Sequence, residues 1–175
     1  MGKQQPIYLD FELDKLTKSI ENTVTGDSFQ TEVSHLTIAD LKQTTKKNGW
    51  NFNWRLELNA NDRDVYKLTI VGNPNIIQGC LSFTIKDDHV YMHLLESSPF
   101  NIGRIKIYEG VPGNLVAFAC KVSFQHGNEG FVSFQSKTTL IKHYVKTLGA
   151  YHFGGHLMVI PTPSAQKLIN NYFKT

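Results

Sequence analysis

Two glycines in one loop are the residues whose types and spacing best fit binding chemistry. The loop reads Glu109-Gly110-Val111-Pro112-Gly113-Asn114-Leu115, and a helix is predicted to begin at Pro112. Glycine lets the backbone approach a ligand closely. The first turn of a helix offers N–H groups without intrahelical partners, at the positive end of the helix dipole. The loop therefore predicts a phosphate-binding site, although a tight turn without a ligand would show the same residues.

The elements that would position this loop are predicted from hydrophobic periodicity and from Gly and Pro signals. Helices are predicted over residues 10–24, 38–48, 112–125, 137–148 and from 162 onward. Strands are predicted over residues 32–36, 65–71, 76–86, 89–96, 130–135 and 151–160. Short turns between consecutive strands indicate an antiparallel meander. A helical crossover to a parallel strand would then create a crevice at the strand carboxyl ends, where ligands bind.

The N-terminal helix is predicted from Leu9, Leu13, Leu16 and Ile20, which recur at helical spacing. Pro112 fits the first turn of its helix because its missing N–H would have no intrahelical partner there. These patterns predict an α/β fold in which a mixed sheet, with an antiparallel meander and a parallel crossover pair, has flanking helices and an extra N-terminal helix.

Composition limits the class of protein. The 175 residues suit one domain, 1–175, and the net charge of +3 is weak for a nucleic-acid binder. Lys42, Lys46 and Lys47 read as a solvated helix face. The first residues are too polar for a signal peptide, and no apolar run would span a membrane. We therefore expect a cytoplasmic protein, with Cys80 and Cys120 as buried free thiols.

Metal and nucleophile chemistry are not predicted. His89 and His93 share a strand face but would stand about 13 Å apart at roughly 3.3 Å per residue. The same spacing separates His152 from His156, and a metal needs a tighter ligand set. Cys120 follows an apolar helix stripe without a base nearby in sequence.

Residues 110–150 resemble the core of the GNAT acetyltransferase superfamily. The family pattern has a Gly-rich pyrophosphate loop, a helix, a short apolar strand, and a second helix that ends in a Tyr-containing stretch closed by Gly. Here those parts read Gly110-Val111-Pro112-Gly113-Asn114-Leu115-Val116, Phe131-Val132-Ser133-Phe134 and His143-Tyr144-Val145-Lys146-Thr147-Leu148-Gly149-Ala150. The element order from Thr31 onward is similar as well, with residues 1–30 as an added helical extension and 89–150 as the acetyl-CoA-binding core.

The resemblance implies an N-acetyltransferase mechanism. Acetyl-CoA would lay its pantetheine arm between strands 89–96 and 130–135, and a backbone N–H near Leu95 or Glu96 would polarise the acyl carbonyl. An amine would attack, with Glu96 as general base and Tyr144 as general acid. The residues implied in cofactor binding are Leu95, Gly110, Val111, Gly113, Asn114 and Lys137, the last at the position of a family Asn. Ser97 and Asn101 would line the same pocket.

The sequence also departs from the family pattern. Ile107 replaces a Gln or Arg, and Pro112 replaces a residue that donates an N–H. The stretch 99–109 is longer than usual and carries Arg104 and Lys106, which could reach a phosphate. Tyr144 is one residue further from its closing Gly, and one residue turns a helical side chain by about 100 degrees.

These departures leave two other functions open. The chain could be a GNAT-fold binding or regulatory module without catalysis. It could also be an acetyltransferase whose acceptor is carried on RNA or a protein, with the lysine-bearing helix as docking face. The acceptor amine and the oligomeric state, a homodimer included, are not fixed by the sequence.

Overall fold

A computed structural model of the chain describes residues 6–173. The strands are β1 (Ile20–Asn22), β2 (Ser28–Phe29), β3 (Thr31–His35), β4 (Asp64–Ile70), β5 (Gly79–Ile85), β6 (Val90–Ser97), β7 (Tyr108–Glu109), β8 (Val132–Gln135), β9 (Tyr151–His152) and β10 (Leu157–Ile160). The α-helices are α1 (Trp54–Asn59), α2 (Val111–Gln125), α3 (Ile141–Leu148) and α4 (Thr162–Tyr172). None of the helices in this part of the chain is long and apolar enough to cross a membrane.

The larger sheet has seven strands in the order β3-β4-β5-β6-β8-β10-β9. Strands β3 to β6 form the predicted antiparallel meander, and α2 crosses over to β8, which pairs with β6 in parallel. The parallel register joins Val90 to Val132 and Tyr91 to Ser133. Beyond these pairs β6 runs on to Ser97 beside no part of β8, so the two strands enclose a cleft, the β6–β8 cleft. The predicted mixed sheet and its parallel crossover are confirmed.

A smaller sheet, β2-β1-β7, joins two parts of the chain that depart from the family pattern. Strand β1 lies in the N-terminal extension and pairs with β7 in the 99–109 stretch, with Glu21 opposite Glu109. Asn101 holds the same stretch in place, because its side chain donates to the Gln78 carbonyl and accepts from the Tyr108 N–H. This sheet lies next to the loop that begins α2.

The prediction of an N-terminal helix over residues 10–24 is wrong. Residues 10–19 are not helical in the structure, and β1 follows them. The side chains of Leu9, Phe11 and Leu13 are buried, whereas the acidic side chains between them are exposed. That alternation has the period of 2 of an extended chain. The helical spacing from Leu9 to Leu13 is real in the sequence, but Leu16 is exposed.

Three other boundaries differ from the predictions. The predicted helix 38–48 is two short 3-10 helices, Ala39–Lys42 and Lys46–Asn48, because the Asn48 side chain takes the Lys42 and Gln43 carbonyls. Helix α1 was not predicted from the sequence. Its N-cap is Asn53, whose side chain accepts from the Leu56 N–H. The predicted strand 151–160 is a hairpin of β9 and β10.

Candidate active site

Helix α2 begins where the sequence placed its phosphate-binding loop. Gly110 precedes the helix with φ = 95°, a left-handed conformation that favours glycine. The N–H groups of the first turn have no intrahelical acceptors, and since Pro112 has no N–H, those of Val111 and Gly113 are the ones that could bind a ligand. The first turn packs against the carboxyl end of β6 through Gly79, where an added side chain would collide with Val111 and with the Glu96 carbonyl. The loop and the end of β6 are therefore adjacent, as the predicted mechanism requires.

A carboxylate of the same chain already lies on this loop. Asp14 accepts from the Gly110 N–H at 3.1 Å through Oδ1, and from the Lys106 ammonium at 3.1 Å through Oδ2. Thr17 and Ser19 pack so tightly over Gly110 that any side chain at position 110 would collide with them. A negatively charged group of the protein thus lies at the predicted anion site, bonded to the Gly110 N–H.

The β6–β8 cleft is occupied by the same stretch, segment 8–17. The Leu9 N–H donates to the Gln135 carbonyl at 2.7 Å, and the Leu9 carbonyl accepts from the Lys137 N–H at 3.0 Å. Leu9 thereby forms a parallel bridge with Ser136, directly beyond the end of β8. Further along, the Leu13 N–H donates to Nε2 of His143 at 2.9 Å. Segment 8–17 therefore pairs at Leu9 alongside the end of β8, as an extra strand would.

Tyr144, the predicted general acid, lies in the core beside this segment. Its ring is fully buried between Phe11 and Phe134, at centroid distances of 4.9 and 5.1 Å. Its hydroxyl donates to the Phe11 carbonyl at 2.5 Å. Burial raises the pKa of the Tyr144 phenol well above its ordinary value, so the group keeps its proton. Tyr144 is therefore a buried core residue whose hydroxyl has its acceptor in segment 8–17.

A cavity of about 680 Å³, here called the acidic cavity, lies between segment 8–17 and the end of β6. The predicted pocket residues Leu95, Glu96, Ser97 and Asn101 all line it. Its carboxylate-bearing residues come from three parts of the chain: Asp10, Glu12, Asp14, Glu96 and Glu109. The cavity would therefore attract a cation.

Glu96 is held by the loop that leads into α1. Its Oε2 accepts from the Asn51 N–H at 2.6 Å, and its Oε1 accepts from the Phe52 N–H at 3.3 Å and from the Trp54 indole N–H at 2.8 Å. Three donors hold the carboxylate in one orientation. A carboxylate has about four acceptor positions, so one remains for a ligand or a water molecule.

The other predicted cofactor residues are distributed around the occupied groove. Gly113 faces the Tyr172 hydroxyl of α4, and Asn114 is buried with its Oδ1 accepting from the Thr31 hydroxyl at 3.3 Å. Lys137 lies at the end of β8 and pairs with Asp10 at 2.6 Å. The side chain of Arg104 is exposed to solvent.

Sequence reasoning missed Asp14 and His143, which both line the acidic cavity. The strict alternation Leu9-Asp10-Phe11-Glu12-Leu13-Asp14 was the available signal for Asp14, because it predicts an extended segment with one acidic face. No sequence signal singled out His143, whose position depends on how α3 is placed against the segment.

No family model matches the sequence, and no curated protein matches it. Solved structures do match the fold. The ribosomal-protein-S18-alanine N-acetyltransferase from Escherichia coli aligns with a TM-score of 0.53 at 13% identity, covering 76% of this chain and 94% of that one. A spermidine N-acetyltransferase from Vibrio cholerae, in complex with CoA and spermine, gives 0.55 at 13% identity over 78% and 98% of the two chains. AtaTR bound with acetyl-CoA gives 0.54 at 17% identity over 79% and 98%. The chain therefore has the fold of the GNAT N-acetyltransferases.

Proposed function

We propose that this protein is an N-acyltransferase that transfers an acetyl group from acetyl-CoA to an amine. The observation that carries the proposal is the meeting of three features at one place: the β6–β8 cleft, the glycine-led start of α2, and a cavity beside Leu95 and Glu96. Two of the proteins with similar folds were solved as complexes with acetyl-CoA or CoA, which supports the choice of donor.

In the proposed complex, the amides of Val111 and Gly113 bind the pyrophosphate, and Lys106 and Lys137 supply positive charge nearby. The backbone N–H of Leu95 or Glu96 polarises the thioester carbonyl. The amine nitrogen forms a bond with the carbonyl carbon as the carbon–sulfur bond breaks. Positioning and carbonyl polarisation provide most of the rate enhancement.

The proton balance assigns roles to two side chains. The departing thiolate gains one proton, which Tyr144 supplies once its hydroxyl is free of the Phe11 carbonyl. The amine loses one proton, which Glu96 accepts through its remaining acceptor position, directly or through water. Because all three donors to Glu96 come from residues 51–54, we expect orientation of this loop to be the larger part of its contribution.

The acidic cavity favours a cationic acceptor. Asp10 and Asp14 pair with Lys137 and Lys106, which leaves Glu12, Glu96 and Glu109 without a lysine partner among the described residues. A negative cleft raises the local concentration of cations. A small primary amine or polyamine is therefore the acceptor class to test first.

A non-catalytic binding module is the second candidate, because segment 8–17 fills the groove that the donor would occupy. Calorimetric titration with acetyl-CoA, and with acetyl-pantetheine as a control that lacks the nucleotide, separates the two functions. Saturable binding of acetyl-CoA, followed by thiol release with an amine panel, would support the transferase. Binding without turnover would favour the module. Absence of binding, both to the wild type and to the variants described below, would overturn the transferase proposal.

A further inference from the structure

Segment 8–17 contacts the two parts of the groove that the proposed cofactor needs. At the end of β8, the Leu9 N–H donates to the Gln135 carbonyl and the Leu9 carbonyl accepts from the Lys137 N–H. A pantetheine arm would form strand-like hydrogen bonds at the same place. Five residues further on, the Asp14 carboxylate accepts hydrogen bonds from the Gly110 N–H and the Lys106 ammonium, where a phosphate would bind. The extended backbone at Leu9 corresponds to the pantetheine arm of the donor, and the Asp14 carboxylate corresponds to its pyrophosphate.

The segment also binds the proposed proton donor. The Phe11 carbonyl accepts from the Tyr144 hydroxyl at 2.5 Å, and the Phe11 ring packs on the Tyr144 ring. While this contact holds, the hydroxyl is not available to a thiolate.

Segment 8–17 is held by alternate buried side chains and by polar contacts along its length. Leu9, Phe11 and Leu13 point inward, and the residues between them face the acidic cavity or solvent. On the C-terminal side of Asp14, Lys15, Leu16 and Lys18 are exposed, whereas Thr17 is buried over Gly110. The carbonyls of Lys15 and Thr17 accept from Tyr172 and Asn171 of α4, so release of the segment also breaks these two contacts.

We propose that segment 8–17 is an intramolecular competitor of acyl-CoA, so that donor binding and release of the segment from the β6–β8 cleft are one coupled event. This inference rests on the proposed function and specifies how the same site is regulated. The closed state described here has its groove filled and Tyr144 engaged. The open state exposes the loop at Gly110, the end of β8 and the Tyr144 hydroxyl together.

Competition of this kind lowers the apparent affinity for the donor by the fraction of molecules that are open. Any substitution that weakens the binding of segment 8–17 in the β6–β8 cleft, without altering the groups that bind the donor, should therefore tighten acetyl-CoA binding. A change elsewhere that destabilises the fold equally should not.

Phe11→Ala is the release variant without a charge change, and Asp14→Asn is a milder one that removes the ion pair with Lys106. We expect acetyl-CoA to bind each at least about tenfold more tightly than the wild type, because a weaker segment raises the open fraction. Phe118→Ala, which removes a ring packed on Tyr66 at 4.8 Å, controls for general destabilisation. Asp88→Asn controls for the charge change, since Asp88 is exposed and pairs with His89. Thermal melting identifies any variant that fails to fold.

Hydrogen exchange on the wild-type protein gives a test that needs no variant. The amides of Leu9 and Leu13 are hydrogen-bonded in the closed state, to Gln135 and His143. Saturation with acetyl-CoA should accelerate their exchange. If acetyl-CoA binds and both amides stay protected, or if the release variants bind no more tightly than the controls, the competition is refuted while the transferase proposal stands. If no variant binds acetyl-CoA, the transferase proposal fails and the inference fails with it.

Discussion

Replacing Glu96 by Gln separates its structural contribution from its proposed catalytic one. The carboxylate joins β6 to the loop before α1 through the N–H groups of Asn51 and Phe52 and the indole of Trp54. Glutamine keeps one acceptor oxygen of similar shape and replaces the other by an NH₂ group, which donates. At least one of the three donors must then lose its partner in a buried place, and an NH₂ group will face an N–H.

The magnitude follows from those bonds. A hydrogen bond to a charged group contributes about 1.5–3 kcal/mol, and an unsatisfied buried donor adds its own cost. We therefore expect Glu96→Gln to lower the free energy of unfolding by about 2–4 kcal/mol. For a domain of this size that corresponds to a fall in Tm of about 5–15 °C.

Thermal unfolding measures this change, and tryptophan fluorescence shows whether the environment of the buried Trp54 ring has altered. Glu109→Gln is the matched control, because Glu109 lines the same cavity and carries the same charge. We expect its Tm to stay within about 2 °C of the wild type, since substitutions that break no buried contact change stability by about 0.5 kcal/mol or less. If Glu96→Gln melts no earlier than Glu109→Gln, the anchoring described here is wrong. If it melts earlier and retains turnover, Glu96 is a positioning residue and not the base.

Three further predictions concern the core around the groove. Tyr144→Phe removes the proposed proton donor, so turnover should fall at least tenfold in a thiol-release assay. It also leaves the Phe11 carbonyl without its donor, so acetyl-CoA affinity should rise in calorimetry. Unchanged turnover would make Tyr144 purely structural. Burial lowers the pKa of His93 to about 4, below its unfolded value of about 6.5. Between these two pH values the unfolded chain binds a proton that the folded chain does not bind. The free energy of unfolding should therefore fall as the pH drops from about 6.5 to 4. His93→Gln should flatten that part of a denaturation-versus-pH profile, and an unaltered slope would contradict the assignment. Gly113→Ala should lower the Tm despite the better helix propensity of alanine, because its Cβ would collide with the Tyr172 hydroxyl; Tyr172→Phe should recover part of the loss, and a Gly113→Ala protein as stable as the wild type would show that α4 moves aside.

The sheet could be predicted because its signals are local. The strands of the meander are rich in β-forming residues and are separated by turn residues, and Pro112 with the apolar stripe after it marks a helix start. These elements lie within a few residues of their predicted places, at Asp64–Ile70, Gly79–Ile85, Val90–Ser97 and Val111–Gln125. The crossover rule for parallel strands then fixes the cleft.

The N-terminal extension could not be predicted by the same reasoning. Leu9 and Leu13 satisfy both a helical and an extended pattern, and what decides between them is a tertiary contact, since the end of β8 and the Tyr144 hydroxyl offer partners to an extended backbone. Hydrogen bonds between residues more than 120 positions apart leave no trace in a local window.

The predicted site residues show the same division. Glu96 and Leu95 line a common cavity, and Gly110 begins α2 beside it, because strand ends and loop ends follow from the topology. Which atoms occupy the anion site does not follow from topology. Asp14 was part of a segment predicted to be helical, and its carboxylate was not expected at the loop.

The bond between Leu13 and His143 also fixes an order of events in the life of the chain. The two residues are 130 positions apart, and at about 5–20 residues per second the ribosome needs roughly 7–26 s to synthesise the intervening chain. Segment 8–17 must therefore wait in an undocked state until its partners exist. When the groove first forms, a tethered occupant with an effective concentration on the order of millimolar meets it at the same moment as any free ligand. A donor at micromolar concentration would lose that first encounter unless its intrinsic affinity were correspondingly higher, so we expect the newly made protein to begin in the closed state.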